Sequence, residues 1–287
     1  MFSKACDVAR NFTRPVIVSM RHENGKVSCG LASFIVVNKD GWIVTAAHVL
    51  NAMHASQAHA LQKSQYHASV AQAQTLPVKQ KNRTLEKLRP NPEWIINQSL
   101  WWSQDPASAT QFIIDPLADL AITKLQNFDA SGIAVFPTFV TSVPDPSPGS
   151  SLCRLGFPFV EISAIFNETR NAFEMQNFSL PPMFPNDGIH TRIQLLVDQN
   201  TNRGVKLIET STPGLRGQSG GPLFDTNGTI WGIQSRTQHL ALGFSPKTKD
   251  GSGKEVVEHQ FMNVGLASHV THLVDMFKQN GVAFDSL

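Results

Sequence analysis

Charge is what this sequence has least of. Only 16% of its 287 residues are Asp, Glu, Lys or Arg, against about 25% in an ordinary soluble chain. The formal charge is +2, so no long-range field of either sign draws in a polyanion, and no nucleic-acid partner is expected. Long apolar runs are also missing. None approaches the ~20 residues that cross a bilayer as a helix, so no membrane role is expected. Cysteine is scarce: Cys6, Cys29 and Cys153 are an odd set without a Cys-x-x-Cys pair, which argues against a disulfide framework and for a reducing compartment. The first twenty residues carry charges throughout and no apolar core of signal-peptide length. The expected location is therefore cytoplasmic. The six Asn-x-Ser/Thr sequons, at Asn11, Asn82, Asn97, Asn167, Asn177 and Asn227, then read as chance in a chain rich in those residues.

What is present is turn chemistry between short strands. The chain has 19 Gly, 17 Pro and 41% apolar residues, enough for a buried core in two domains or one large β-rich unit at about 150 residues per domain. The first 48 residues read as strands: Pro15–Met20, Val27–Val37, a turn at Asn38-Lys-Asp-Gly41, then Trp42–Thr45. An Ala-, Gln- and His-rich stretch follows, in which Leu50, Met53, Ala58 and Leu61 would share a helical face. Next come a basic segment (Lys79, Lys81, Arg83, Lys87, Arg89) and a piece bearing Trp94, Trp101 and Trp102. Strand character returns at Gln111–Ile114 and Leu120–Leu125. The Pro- and Ser-rich loop 142–149 marks the boundary between halves, and a second set of short strands runs from Ser151 to about Leu266. Val270, Leu273, Val274 and Phe277 then form an i, i+3, i+4, i+7 stripe, with Gly281 as its stop. Two strand sets and one terminal helix predict an all-β fold of two barrels. The expected domains are 1–140 and 141–287, with residues 51–110 as a partly helical insertion in the first.

Three separated segments carry chemistry: Thr45-Ala-Ala-His48-Val49, Asp115-Pro-Leu-Ala-Asp119-Leu-Ala-Ile122, and Gly214-Leu-Arg-Gly217-Gln-Ser219-Gly-Gly-Pro-Leu-Phe224. A serine hydroxyl needs a base within hydrogen-bond reach to become a nucleophile. A neutral imidazole takes that proton when a carboxylate fixes its tautomer. Glycines beside the serine let the backbone turn sharply, so that amides point at a developing oxyanion. Asp115, directly before Pro116, reads as a turn former, and Asp119 is the other candidate carboxylate.

Taken together, these segments resemble a trypsin-like serine protease of the chymotrypsin clan, closest in detail to the HtrA/Deg type. TAAHV, DLAITKL and GQSGGPLF resemble its histidine, aspartate and serine motifs, in the order known for chymotrypsin. Leu155-Gly-Phe-Pro158, Gly232-Ile-Gln-Ser235 and Val264-Gly-Leu-Ala267 add further matches. The resemblance implies two six-stranded barrels, Ser219 as nucleophile, His48 as base and acid, and Asp119 as its orienting carboxylate. It further implies an oxyanion hole from the amides of Gly217 and Ser219, and Ser235 bonded to the aspartate. Pro213, Gly214, Ser235, Arg236 and Thr237 would line the substrate groove, where an extended peptide adds as a strand. No metal or organic cofactor is implied.

The chain also departs from that family. Val49 follows His48 where secreted members carry a cysteine, so Cys29 lacks a partner, and no Ile-Val-Gly-Gly activation sequence is found. No PDZ-like module is expected after the protease unit, and the oligomeric state is left open. Pro213 stands six residues before Ser219 at the pocket floor; without a carboxylate there, cleavage after a small or medium apolar residue is expected. The stretch 51–110 far exceeds an ordinary loop. It reads either as a lid or partner-sensing element contacting a regulatory protein, or as an embellishment packed on the barrel. His54, His59 and His67 read as solvated, His269 and His272 as surface residues, and the basic run 79–89 as a solvated face. The expected function is a serine endopeptidase acting on protein or peptide substrates in limited, regulated proteolysis. The rival is a catalytically silent protease fold that only binds proteins, and an esterase ranks lower because the pattern is GxSGG rather than a GxSxG elbow.

Overall fold

A computed structural model describes residues 1–103, 107–109, 111–142, 144–176 and 179–287; Val143 of the Pro/Ser loop and the sequon residue Asn177 lie outside the described residues. The first half builds an antiparallel sheet from β1 (Thr13–His22), β2 (Val27–Val36), β3 (Trp42–Ala46), β4 (Ile95–Trp101), β5 (Ile113–Asp115) and β6 (Leu120–Lys124), in the order β4-β1-β2-β3-β6-β5. Gly41, at φ +84°, makes the tight turn into β3. Val16, Phe34, Ile43, Leu50 and Trp102 fill the space the curled sheet encloses.

The second half comprises β7 (Thr138–Phe139), β8 (Ser151–Gly156), the separate hairpin β9 (Ser163–Asn167) and β10 (Ala172–Gln176), β11 (Phe184–Val197), β12 (Gly204–Thr210), β13 (Pro222–Phe224), β14 (Ile230–Ala241), the hairpin β15 (Lys247–Lys249) and β16 (Glu255–Val257), β17 (Phe261–His269) and β18 (Asp285–Ser286). Pairing runs β13-β8-β11-β12-β17-β14 and returns to β13, closing a six-stranded ring. Curled sheets of six strands in each half make the chymotrypsin-like double barrel expected from the motifs.

Among the described residues, four α-helices complete the fold: α1 (Ser3–Ala9), α2 (Asn51–Gln74), α3 (Val78–Lys87) and α4 (Val270–Gln279). α4 buries the stripe Val270, Leu273, Val274 and Phe277. Gly281 then turns left-handed at φ +65°, and the Val282 N–H donates to the Phe277 carbonyl at 2.9 Å, the bond that ends a helix in a Schellman turn. None of the described helices is long and apolar enough to cross a membrane.

Several local expectations need correction. The chain does not begin with strands alone: α1 precedes β1, and Phe2 stacks edge-on against Phe224 of the second barrel. β7, just ahead of the loop 142–149, pairs in parallel with β14, and its Phe139 is buried against Phe277 and Phe284. The stretch 51–110 is not wholly an insertion, since β4 is the edge strand of the first sheet, paired to β1.

The helical face of α2 also differs. Leu61 is 63% exposed and Ala58 faces solvent. Instead Gln62 accepts from the Trp94 indole N–H at 2.9 Å, and His59 Nδ1 accepts from the Ile95 N–H, also at 2.9 Å. Tyr66 packs edge-on against Trp94, and Lys63 pairs with Glu23. The reason is the demand of the strand entry: a buried indole N–H and an orphan backbone donor need acceptors that an apolar face cannot provide. His59 is thus a hydrogen-bonding residue, not a solvated one.

His269 and His272 are likewise not surface residues. His269 is 3% exposed and caps α4, its Nδ1 accepting from the Thr271 N–H. His272 Nε2 accepts from the Lys206 N–H at 2.9 Å. Across the barrels, Asp115 accepts from the Ala118 N–H within its turn and pairs with Arg203, while the Ser268 hydroxyl donates to the Ala118 carbonyl. These contacts fix the segment 115–119 against the second barrel.

Candidate active site

His48 sits on the short 3-10 turn Ala47–Leu50 that ends β3. Ala47, Val49 and Leu50 are buried around it, which leaves the imidazole as the residue of this turn that faces solvent, 40% exposed. Asp119 lies between the fully buried Ala118 and Leu120 and adopts a left-handed backbone at φ +53°, a conformation Asp tolerates better than most residues. That backbone directs its carboxylate to the histidine. Oδ1 accepts the His48 backbone N–H at 2.9 Å, and Oδ2 is 2.8 Å from Nδ1. The Ser235 hydroxyl donates to Oδ2 as well. Burial pushes the Asp119 carboxyl up, but the hydrogen bonds and charge of His48 and the Ser235 hydroxyl outweigh it and hold it below the usual carboxylate range.

Ser219 occupies a loop that only glycine permits. Gly217 and Gly220 stand at φ +96° and +83°; a Cβ on Gly217 would lie 2.3 Å from the Phe157 carbonyl oxygen, and one on Gly220 2.2 Å from that of Ser33. The Ser33 hydroxyl donates to the Gly217 carbonyl at 2.6 Å and the Ser33 N–H to the Ser219 carbonyl at 2.8 Å. Gln218, fully buried, accepts from the Leu215 N–H through its side chain. The loop's carbonyls are thereby tied down, while the N–H groups of Gly217 and Ser219 have no acceptor among the described residues. The Ser219 hydroxyl donates to the Ser235 carbonyl at 3.4 Å, and among the described residues no hydrogen bond joins it to His48.

His48, Gly217 and Ser219 open on one cleft of about 1340 Å³, bordered by Ala52 and Ala55 of α2 and by Phe159. Of the expected groove residues, the Pro213 carbonyl accepts from the Asn186 side chain, and Gly214 accepts from the Thr237 hydroxyl at 2.6 Å. Arg236 is exposed, with its carbonyl bonded to the Gln234 amide. Ser33, Gln218, Gln234 and Arg154 were not singled out by motif. Arg154 had a visible signal, a lone charge within the otherwise uncharged strand Ser151–Gly156. Among the described residues, no group of three or more His, Cys, Asp or Glu is placed to hold a metal.

The fold is similar to the active form of the Rv3671c protease from M. tuberculosis, at 13% identity and TM-score 0.50 over 98% of this chain and 86% of that one. It is similar also to the HtrA-type protease AlgW with a decapeptide, at 12% identity and TM-score 0.51 over 98% of this chain and 68% of that one. At such identities the likeness is one of fold. No curated protein matches the sequence. A family model for the trypsin-like peptidase domain matches residues 32–233. That match spans more than half of the chain, which therefore belongs to the trypsin-like peptidase domain family and is a serine endopeptidase.

Proposed function

We propose that Ser219, His48 and Asp119 form the catalytic triad of this peptidase. His48 Nε2 takes the Ser219 proton as Oγ bonds to the scissile carbonyl carbon, then gives it to the leaving amine as the C–N bond breaks. Water, deprotonated by the same imidazole, attacks the acyl-enzyme, and the proton returns to Ser219. Asp119 holds Nδ1–H and stabilises the imidazolium. The free amides of Gly217 and Ser219 receive the oxyanion, each donor contributing about 2.7–4 kcal/mol to the transition state. Entry into the cycle requires the Ser219 hydroxyl to turn from the Ser235 carbonyl to Nε2. The observation that carries the reading is the double grip of Asp119 on His48 beside a serine loop with two unengaged amides. β14 pairs with β17 beyond Ser235, and its other edge at Arg236–Gln238 is where a substrate peptide would add as a strand.

Limited, regulated proteolysis fits two features. The first turn of α2 borders the cleft, whereas its far end and α3 are largely exposed, so a regulatory protein gripping the exposed part could move the cleft wall. Deleting residues 55–88 tests this: unchanged folding, activity and selectivity would end the idea. The turned-away Ser219 hydroxyl also favours a second reading, in which the triad stays unassembled and the fold only binds proteins. The three free cysteines fit a reducing, cytoplasmic setting. Mapping new N-termini in cells carrying wild type or Ser219→Ala tests the proteolytic reading. Fragments specific to wild type support it, and identical profiles contradict it.

A further inference from the structure

Arg154 is the most deeply buried cation in the molecule. It is 1% exposed, it lies on β8 inside the second barrel, and among the described residues no carboxylate pairs with it. Its Nη1 donates to the Thr212 hydroxyl at 3.0 Å and to the Pro213 carbonyl at 3.4 Å, while Nε and Nη2 have no partner. Burial pulls the guanidinium down to about 10, so it stays charged at neutral pH. An uncompensated buried charge is among the most costly features a fold can carry. Nothing in the packing requires this one, since it shares its face of β8 with Leu152, which packs on Ile208, Leu223 and Ala267.

Its position suggests a use. Thr212 and Pro213 stand seven and six residues before Ser219, and the Thr237 hydroxyl ties the next residue, Gly214, to the strand along which a substrate would run. Two glycines keep this spot open to long polar side chains. A Cβ on Gly265 would lie 2.3 Å from Arg154 Nη2, and one on Gly214 would lie 2.1 Å from the Gln234 amide nitrogen. Gln234 is itself 1% exposed, with Oε1 unpartnered. Two free donors and an amide with an unpartnered oxygen therefore gather behind residues 212–214, the segment that leads into the nucleophile loop.

We propose that Arg154 is a specificity-determining residue and that the enzyme cleaves after an acidic side chain, whose carboxylate pairs with the unpartnered Nε and Nη2. This rests on the proteolytic reading of Ser219, and it replaces the apolar preference expected from Pro213. A guanidinium offers two parallel donors in the spacing of a carboxylate. Gln234 is the side chain that turns aside, at the loss of its one bond to the Arg236 carbonyl. A lysine or arginine substrate would instead set like charges together.

The test is a set of peptides identical except for Glu, Asp, Gln, Val or Lys on the amino side of the scissile bond. The expected kcat/KM for Glu exceeds that for its neutral isostere Gln on the order of 100-fold. Arg154→Met should bring the Glu-to-Gln ratio close to 1 and raise Tm because a lone buried charge is gone. If Arg154 merely braced the loop, the variant would lower Tm and slow all substrates alike. Wild type favouring Val or Lys over Glu overturns the inference whether or not the variant folds. Cleavage of none of the peptides, with Ser219 unreactive to a fluorophosphonate, would defeat the proteolytic reading beneath it; a reactive Ser219 with an apolar preference would defeat the inference alone.

Discussion

Asp119 grips His48 twice, accepting its backbone N–H at 2.9 Å and lying 2.8 Å from its ring Nδ1. Main chain and side chain of the histidine are fixed by one carboxylate, so position and tautomer are set together. Replacing Asp119 by Asn should cost about 10⁴ in kcat through the wrong tautomer, measured with a fluorogenic peptide. Because His48 and Ser235 hold Asp119 below the ordinary carboxylate range despite burial, it stays ionised wherever an ordinary Asp would. Ser235→Ala removes one of the hydrogen bonds that offset burial, so it should raise the Asp119 carboxyl and move the acid-side loss of activity to higher pH, read from a kcat/KM–pH profile.

Ser33 positions the nucleophile loop from the other barrel, through the carbonyls of Gly217 and Ser219. Ser33→Ala removes the side-chain bond, worth about 1 kcal/mol, and loosens the amides that receive the oxyanion. The expected result is a several-fold lower kcat with KM nearly unchanged. Steady-state kinetics on one peptide checks it.

The motif residues were legible because their chemistry fixes their neighbours: a serine loop needing Gly217 and Gly220, a turn holding His48, a carboxylate before Leu120. The stripe of α4 was legible because burial on one helical face leaves a periodic trace. What escaped reading was contact between segments distant in sequence. β4 looked like part of an insertion because only its pairing with β1 makes it barrel. α2 was read by apolar period, yet it docks through His59 and Gln62, whose partners Ile95 and Trp94 lie over thirty residues away. His269 looked exposed because two histidines on a helix end say nothing of the barrel packed over them.

Asp115 latches the barrels through Arg203. The carboxylate is 9% exposed and the guanidinium 48%, so loss of the cation strands a buried anion. Arg203→Met should destabilise by about 1–3 kcal/mol, nearer the lower end because one partner is solvated. Urea unfolding checks it. The double change to Asp115→Asn with Arg203→Met should recover part of the loss.

His269 and His272 make stability fall in mild acid. Burial pulls His269 down to about 4 and lowers His272 too, against the opposing pull of Asp145 on the first and Asp115 on the second, with Lys206 and Arg203 adding like charge. The unfolded chain therefore binds protons more readily than the folded one below about 6.5, and stability present above that value is lost as pH falls toward 4. Protonation at Nδ1 would also remove the cap on the Thr271 N–H. Melting at pH 5 should show on the order of 1–2 kcal/mol less stability than at pH 7. His269→Asn, which retains a capping oxygen, should flatten the profile.

The central claim is that Ser219 is an activated nucleophile. Its most direct test is labelling of the intact protein by a fluorophosphonate probe, with the modified residue located by peptide mass. The account predicts one label, on Ser219, abolished in Ser219→Ala and strongly slowed in His48→Ala. No label on wild type, or labelling that persists unchanged without His48, would contradict it.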